Sequence, residues 1–285
     1  MMKITDPEKA ILITKASGET EPFSEAKLRR SLERATTSPT AIEKIVAHIR
    51  SELKPGMHTG QIYRHAFSLL RTSERPAAGR YALKRAIMEL GPTGRPFEKL
   101  IGKLLGLDGF AVTVAQTVSG LCVRHEIDVI GEKDNRHIMV ECKFHNQPGT
   151  KSDVKVALYI QARFEDVAKA WRKNPGHDQK VHEPWLVTNT KLTSDAIQYA
   201  ACVGMKAIGW SYPDDNGLEA RIDRAGFHPL TALTRLSRAH KQQLLARGFV
   251  LCKELLDDTS ALRSLGLSPA KLATVKSEIT QLCRP

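Results

Sequence analysis

The pattern of apolar and polar positions divides the chain into an N-terminal α+β segment, a middle α/β segment and a helical C-terminal segment. The first segment predicts a strand, a turn at Gly18 and a short second strand, followed by four helices. Ser24 directly precedes the first helix and is predicted to be its N-cap. The segment GPTGRP at 91–96 holds two glycines and two prolines in six residues, which is typical of a domain boundary. We therefore expect an N-terminal domain over residues 1–95.

The middle segment predicts an α/β domain over residues 96–227. Its apolar runs indicate the order helix, three strands, helix, strand, helix, strand, which is typical of a layered domain with a mixed sheet. Strands 126–131 and 137–144 flank the polar turn EKDNR, so we expect them to pair in an antiparallel manner. A long amphipathic helix should then lead through a right-handed crossover to a parallel strand at 184–189. The stripe of that helix is expected at Val154, Leu158, Gln161, Phe164 and Ala168.

The remaining residues, 228–285, are predicted to form a small α-helical domain. Within it, LGLSPAKLATV predicts a helix, a turn and a second helix, with Gly266 and Pro269 at the turn. The whole chain is thus expected to be a multidomain protein.

The distribution of charge adds a candidate partner to this picture. Lys and Arg number 17 against 10 Asp and Glu in residues 1–96, 17 against 17 in 97–228, and 9 against 4 in 229–285. A basic surface attracts nucleic acid because binding releases counterions from the phosphates. The basic flanks therefore favour a nucleic-acid partner, and simple solubility is the alternative interpretation.

The cysteines and the apolar runs of the sequence indicate the cellular compartment in which the protein is expected. The five cysteines are scattered and form no CxxC pair, which argues against a zinc ribbon or a disulfide framework. No apolar run approaches the roughly 18 residues of a membrane span, and the N-terminus lacks the pattern of a signal peptide. We expect a cytoplasmic protein with no membrane partner.

Two acids and a lysine occur on neighbouring predicted strands. Alternation places Glu141 and Lys143 on one face of their strand and Cys142 on the other, and antiparallel pairing brings Asp128 towards Glu141. Two carboxylates so close raise each other's pKa unless a cation lies between them, and Mg²⁺ prefers oxygen ligands. The pattern predicts a metal-dependent phosphodiesterase site in which Lys143 acts on water or on the phosphate. The alternative is a structural ion pair between Asp128 and Lys143.

The arrangement D-(x)12-E-x-K resembles the PD-(D/E)XK nuclease superfamily. The segments FEKLIGKLLGLDGFAVTV, EIDVIG and VECKF resemble its Mrr-type restriction endonuclease branch over residues 96–212. This resemblance implies that Asp128 and Glu141 bind Mg²⁺ or Mn²⁺ and that Lys143 is the catalytic lysine. It also implies site roles for Glu98, whose alternative is a solvated acid at a helix start, and for Gln161.

Several histidines lie near these residues. His137 and His145 flank the strand, and their spacing predicts no zinc pair. His125 and Glu126 precede Asp128, where we expect them to end a strand rather than to contact DNA.

The N-terminal sequence ILITKASGETEPFSEAKLRRSL resembles the ATP-cone domain over residues 9–95. The resemblance implies a strand–turn–strand cap that binds ATP or dATP as an effector. Without a P-loop, binding would not lead to hydrolysis. A cone retained only as structure is the alternative, because the chain has Ala and Ser where the family usually has Arg and Asp. The residues that match the motif are Lys15, Gly18, Glu21, Lys27 and Thr59.

The C-terminal sequence LRSLGLSPAKLATVKSEI resembles helix–hairpin–helix DNA-binding segments. Such turns hold phosphate through backbone N–H groups without reading sequence, and Lys271 and Lys276 would add positive charge. The alternative is a helical domain for packing or for protein contact.

Together these features predict a nucleotide-responsive, Mg²⁺-dependent DNA endonuclease of the Mrr type, with a role in restriction, defence or DNA repair. A homodimer is expected, since cleavage of both strands usually requires two sites. Two alternatives remain open: a junction-type nuclease of the same superfamily, and a nucleotide-sensing DNA-binding regulator that keeps the nuclease fold as a scaffold.

Overall fold

The computed structural model describes residues 11–36 and 38–284, and the chain separates into two compact units, Met1–Ala82 and Leu83–Pro285. The first unit contains a two-stranded antiparallel sheet and helices packed around Ile13, Leu32 and Ile49. The Ser24 hydroxyl accepts a hydrogen bond from the Lys27 amide at 3.3 Å, so the predicted N-cap is present. The elements of the first unit are β1 (Leu12–Thr14), β2 (Thr20–Pro22), α1 (Glu25–Glu33), α2 (Pro39–Glu52), α3 (Thr59–Ser73) and α4 (Arg75–Tyr81).

The second unit has a five-stranded mixed sheet covered by helices. Its elements are α5 (Leu83–Met88), α6 (Arg95–Leu107), β3 (Ala111–Ser119), β4 (Arg124–Lys133), β5 (Arg136–Lys143), β6 (Lys151–Ser152), α7 (Val154–Trp171), β7 (Val181–Thr188), β8 (Lys191–Leu192), α8 (Ser194–Cys202), β9 (Lys206–Ile208), α9 (Leu218–Ala225), a 3-10 turn (Leu230–Ala232), α10 (Arg238–Ala246), α11 (Glu254–Asp257), α12 (Thr259–Arg263) and α13 (Pro269–Leu282).

The sheet has the strand order β3-β4-β5-β7-β9. The first three strands are antiparallel neighbours, and β5, β7 and β9 run parallel. The predicted mixed sheet is therefore confirmed, as is the parallel pairing of the strands before and after the long helix. The short strands β6 and β8 form a separate parallel pair.

Strand β5 lies at the centre of the sheet, and both of its faces are covered. Ile138 and Val140 pack with α6 on one face, and Met139 packs with α7 on the other. Every residue from His137 to Cys142 is buried. A central strand with two covered faces is nearly all apolar in most proteins, so the buried Glu141 is exceptional.

The buried face of α7 differs from the predicted stripe. Leu158 is 47 % exposed, so its expected burial was wrong. The small side chain of the preceding Ala157 lies against the sheet instead. At this turn of α7 the buried position is therefore 157 rather than the predicted 158. The buried residues of α7 are Ala157, Ile160, Phe164, Val167, Ala168 and Trp171.

The segment before GPTGRP belongs to the second unit. The last of the four helices predicted for the first segment is interrupted at Ala82 and forms α4 and α5. Leu83, Ile87 and Leu90 pack in the same core as Phe97, so the two compact units divide after Ala82 rather than at 91–96. Apolar contacts made by residues 83–90 thus outweigh the local glycines and prolines in setting the division.

The C-terminal helices enclose a small apolar core of their own, which includes Leu244, Leu262 and Ile279. Helices α12 and α13 are joined by a turn in which Gly266 adopts a φ of +65°. Lys271 is exposed in the first turn of α13, and Lys276 is half-buried one turn and a half later. None of the helices in the described part of the chain is both long and apolar enough to cross a membrane.

A close approach between α6 and β3 generates a prediction about stability. A Cβ atom on Gly102 would lie 3.0 Å from Val114 Cγ2 and 3.2 Å from Val112 Cγ1, whereas one on Gly106 would meet no atom within 4 Å. We expect Gly102→Val to lower the free energy of unfolding by about 1–3 kcal/mol through overpacking. Urea denaturation measures this, with Gly106→Val on the same helix as the matched control. An equal effect of the two substitutions would contradict the close packing.

Candidate active site

The β4–β5 hairpin brings Asp128 next to β5. Its ladder runs from the pair Lys133–Arg136 to the pair Val129–Val140, one residue short of Asp128 and Glu141. Beyond the last pair, Asp128 Oδ2 accepts a hydrogen bond from the Cys142 amide at 2.7 Å. The two carboxylates thus lie where regular strand pairing ends.

Strand β4 is irregular at Asp128. The β3–β4 ladder pairs Val114 with Val129 and Gln116 with Ile127 but omits the intervening position, where Ala115 has a φ of +58°. Ile127 packs with the α7 cluster and Val129 with the α6 cluster, although strict alternation would place both on one face. Local irregularities of this kind are common in strands beside active sites, where they redirect a side chain.

Glu141 is 8 % exposed and is paired with an arginine from α7. Arg163 Nη1 lies 2.5 Å from Glu141 Oε2, and Arg163 Nη2 donates to the Glu126 carbonyl oxygen. Sequence reasoning missed this arginine. The available signal was its spacing, because Arg163 follows Ile160 by three residues and therefore flanks the buried face of α7.

Three carboxyl groups in this region have raised pKa values. Burial is the main cause for Asp128, for Glu141 and for Glu98, and the charge of Asp128 raises the pKa of the other two further. Arg163 and Lys143 act in the opposite direction on Glu141. Neighbouring carboxyl groups whose pKa values are raised by burial and by nearby charge are typical of functional sites.

Lys143 presents an unpaired ammonium group near these acids. It lowers the pKa of Glu141, and its Nζ forms no hydrogen bond or ion pair with any other residue of the described ranges. Its carbonyl oxygen accepts a hydrogen bond from Thr188 Oγ1 at 2.8 Å. The side chain of Asn189 accepts a hydrogen bond from the His145 amide at 2.8 Å and donates one to the His145 carbonyl oxygen at 2.7 Å. The end of β5 is therefore fixed by buried polar side chains at the last position of β7 and directly after it, which sequence reasoning did not identify.

Glu98 borders the same region from α6, and Gln161 lies on α7, the helix that carries Arg163. Glu98, on α6, forms an ion pair with Arg95 at 3.1 Å and is 8 % exposed, so it is not a solvated helix-start acid. On α7, the Gln161 amide nitrogen donates to Glu165 at 3.0 Å. Its Oε1 is buried and accepts no hydrogen bond within the described residues.

His125 and Glu126 are held by protein contacts. His125 Nε2 lies 2.8 Å from Asp166 Oδ2, which also accepts the Val123 amide at 3.3 Å. Glu126 forms an ion pair with Arg95. Both residues belong to β4, in line with the structural role expected for them.

The acids fit a divalent cation that keeps part of its water shell. Asp128 Oδ1 and Glu141 Oε1 accept no hydrogen bond from the described residues, so each carboxylate retains one free oxygen. Mg²⁺ typically uses one or two carboxylates and several waters. Glu98 does not form a compact triad with these two acids. Within the described residues, a group of three or more His, Cys, Asp or Glu ligand atoms that all lie within 4.8 Å of one another occurs only at another place in the domain.

The candidate nucleotide residues of the first unit form an ion-paired group. Lys15 Nζ and Lys27 Nζ lie 3.0 and 3.2 Å from the same oxygen of Glu21, and hydrogen bonding from Lys15 is the main cause of the lowered pKa of Glu21. Gly18 has a φ of +85° in the turn between β1 and β2. The start of α3, at Thr59, lies beside β1, because the Thr14 amide donates to the Met57 carbonyl at 3.0 Å. The side chains of Lys15, Glu21 and Lys27 thus lie together, with Glu21 between the two lysines.

Comparisons with known proteins match both parts of the second unit. Residues 92–208 match a family described as restriction endonuclease, and residues 228–283 match one described as AF1548-like, C-terminal. An uncharacterized protein of Archaeoglobus fulgidus is 38 % identical over 179 residues, which are 62 % of this chain and 97 % of that protein. The crystal structure of a protein of unknown function, AF1548, is similar with 35 % identity and a TM-score of 0.54, covering 67 % of this chain and 98 % of the other. The chain therefore belongs to the AF1548-like family and carries a restriction endonuclease domain.

Proposed function

We propose that the protein is a divalent-metal-dependent DNA endonuclease in which Asp128 and Glu141 hold the metal and Lys143 acts on the scissile phosphate. The restriction endonuclease domain indicates nuclease activity, a DNA substrate and a typical dependence on divalent metal. The observation that carries the assignment to residues is the convergence of the half-buried Asp128, the buried Glu141 and an unpaired lysine at the end of the β4–β5 ladder.

Mg²⁺ or Mn²⁺ bound there would polarise a phosphate oxygen and lower the pKa of a water molecule. Asp128 and Glu141 would hold the ion through their free oxygens. The Cys142 amide fixes the orientation of the Asp128 carboxylate, and Lys143 would neutralise the charge that develops on the phosphate. The buried contacts of Thr188 and Asn189 would act as positioning contacts, because they hold the backbone that carries Lys143.

Glu98 and Gln161 are proposed to contribute around this centre. The raised pKa of Glu98 follows from burial and from the charge of Asp128, so a cation near Asp128 would relieve both acids. The Gln161 Oε1 atom, buried and without a partner within the described residues, suits an acceptor for a bound water or a substrate group.

The other units would supply binding and control. Lys271 and Lys276 on α13 are proposed to contact DNA phosphates without reading sequence. In the first unit, Lys15, Lys27 and Thr59 at the start of α3 are proposed to hold the phosphates of ATP or dATP, with Gly18 shaping the turn. A homodimer would provide the second active site for double-strand cleavage.

The catalytic assignment predicts loss of cleavage with retained DNA binding. We expect Lys143→Ala to lower the rate of plasmid nicking in Mg²⁺ by about 10²–10³-fold, because an uncompensated charge would remain on the phosphate. Glu141→Gln should abolish nicking, as should EDTA. Both variants should retard DNA in a gel-shift experiment as the wild type does.

The matched control is Lys173→Ala, an exposed lysine of the same domain, which should cleave at the wild-type rate. Equal rates for Lys143→Ala and Lys173→Ala would contradict the assignment. A wild-type protein that retards plasmid, branched and modified DNA but cleaves none of them would favour the binding regulator. Cleavage of branched DNA alone would favour the junction-type nuclease.

The raised pKa of Asp128 also predicts a pH-dependent stability. Burial raises the pKa of Asp128 in the folded state, so its proton stabilises the fold below the unfolded pKa, and this stabilisation is lost as pH rises through the raised value. In EDTA, Asp128→Asn should therefore have a higher free energy of unfolding than the wild type at neutral pH, and no such gain at acidic pH. Urea denaturation measures this, with the exposed Asp214→Asn as control. A lower free energy of unfolding for Asp128→Asn than for the wild type at neutral pH would contradict the inferred cost of the Asp128 charge.

Nucleotide binding is tested by calorimetry with ATP and dATP. Losing one charged hydrogen-bond donor should weaken binding about tenfold or more, so Lys15→Ala and Lys27→Ala should both bind more weakly. Lys44→Ala, an exposed lysine of the same unit, should bind as the wild type does. Absence of binding by the wild-type protein would leave the first unit without a nucleotide role.

A further inference from the structure

A second group of potential ligands lies at the other end of the β4–β5 hairpin. Glu132 is near the end of β4, His137 is near the start of β5, and His177 lies between α7 and β7. One ligand atom from each of these side chains lies within 4.8 Å of the others. Spacing along the sequence gave no hint of a zinc pair, because the cluster forms only when the hairpin and the segment after α7 come together.

Hydrogen bonding fixes which ring nitrogens carry protons. His182 Nε2 lies 3.1 Å from the His177 carbonyl oxygen and must donate to it, which leaves Nδ1 of the neutral His182 ring as an acceptor. His137 Nδ1 lies 3.2 Å from that acceptor and therefore carries a proton itself. The lone pair of the neutral His137 ring is thus on Nε2, which is 3.6 Å from Glu132 Oε1. Two electron-pair donors consequently face each other with no proton between them.

The surroundings agree with neutral rings. Burial lowers the pKa of His137 to about 4 and also lowers that of His182. The Trp171 ring packs against His137 with centroids 4.0 Å apart and screens it from water. Protonation of His137 is therefore an unfavourable way to join its Nε2 to Glu132.

Two further contacts point to a missing cation. His177 Nδ1 is buried and has no hydrogen-bond partner within the described residues, a costly arrangement for a polar nitrogen. Lys180 Nζ lies 2.8 Å from Glu132 Oε2, so it orients the carboxylate and leaves Oε1 directed to the histidines. The positive charge of Lys180 disfavours a bound cation, whereas the carboxylate of Glu132 and the two imidazoles favour one.

We propose that Glu132, His137 and His177 bind a divalent transition-metal ion of the zinc class, with His182 as the hydrogen-bond partner that orients His137. Two imidazoles and one carboxylate are a ligand set that zinc uses, and bonds of about 2.0–2.1 Å place tetrahedral ligands about 3.3–3.4 Å apart. The 3.6 Å separation between His137 Nε2 and Glu132 Oε1 is close to that value. Imidazole ligands distinguish this site from an all-oxygen Mg²⁺ site.

The proposed ion would be structural and does not depend on the nuclease proposal. It would join β4, β5 and the segment after α7. His137 and Glu141 are four residues apart on β5, which corresponds to about 13 Å, so the site is separate from the candidate active site.

The test is a Zn²⁺ titration of the metal-free, full-length protein without an affinity tag, in competition with a chromophoric chelator. We expect one tight Zn²⁺ per chain, with an affinity lowered by at least about 10–100-fold in Glu132→Gln and in His177→Asn. Zn²⁺ should also raise the Tm of the wild type and not that of the variants. Glu132 is partly exposed, so Glu132→Gln is expected to fold even if His177→Asn does not.

Two controls separate this site from other binding. His240→Asn removes a histidine far along the sequence, on α10, and Glu141→Gln removes an acid of the candidate active site; both should retain the tight Zn²⁺. Absence of tight Zn²⁺ binding by the wild type, or equal affinity in the wild type and both cluster variants, would overturn the proposal. The histidines would then be a hydrogen-bonded packing cluster. Loss of the tight Zn²⁺ in Glu141→Gln alone would place the ion at the candidate active site instead.

Discussion

Partial burial of Asp128 and full burial of Glu141 at the end of the β4–β5 ladder are the constraint on which the candidate active site depends. Moving a carboxylate from water into a protein core is costly unless charge or hydrogen bonds compensate. Asp128 is compensated by the Cys142 amide, and Glu141 by Arg163 from a helix on one face of the sheet. Both carboxyl groups still have raised pKa values, so the compensation is incomplete. A fold that retains such an unrelieved cost has a site suited to a cation.

The central strand β5 connects the two candidate sites. His137 near its start and Glu141 near its end lie on the face covered by α7, with the buried Met139 between them. The same helix contacts both, through Trp171 at His137 and Arg163 at Glu141. Because strand and helix are packed along their length, an ion that fixed the loop after α7 would also restrict the helix that places Arg163.

The sequence was sufficient for features that are local or periodic. The polar turn between two apolar runs predicted the β4–β5 hairpin, and with it the approach of Asp128 to Glu141. Arg163 and Thr188 were not found, because their roles arise only when α7 and β7 pack beside β5. The irregularity at Asp128 escaped prediction for another reason, since strict alternation was assumed for every strand position.

The electrostatic balance of the nuclease domain follows from the same pairing. Residues 97–228 contain equal numbers of basic and acidic side chains, 17 of each. Many of them neutralise each other within the domain, as Arg163 does for Glu141 and Arg136 does for Glu183. Attraction to a phosphate backbone depends on unpaired positive charge. In this domain Lys143 has such a charge at the candidate site, and the basic surplus of the chain lies outside the domain, in residues 1–96 and 229–285.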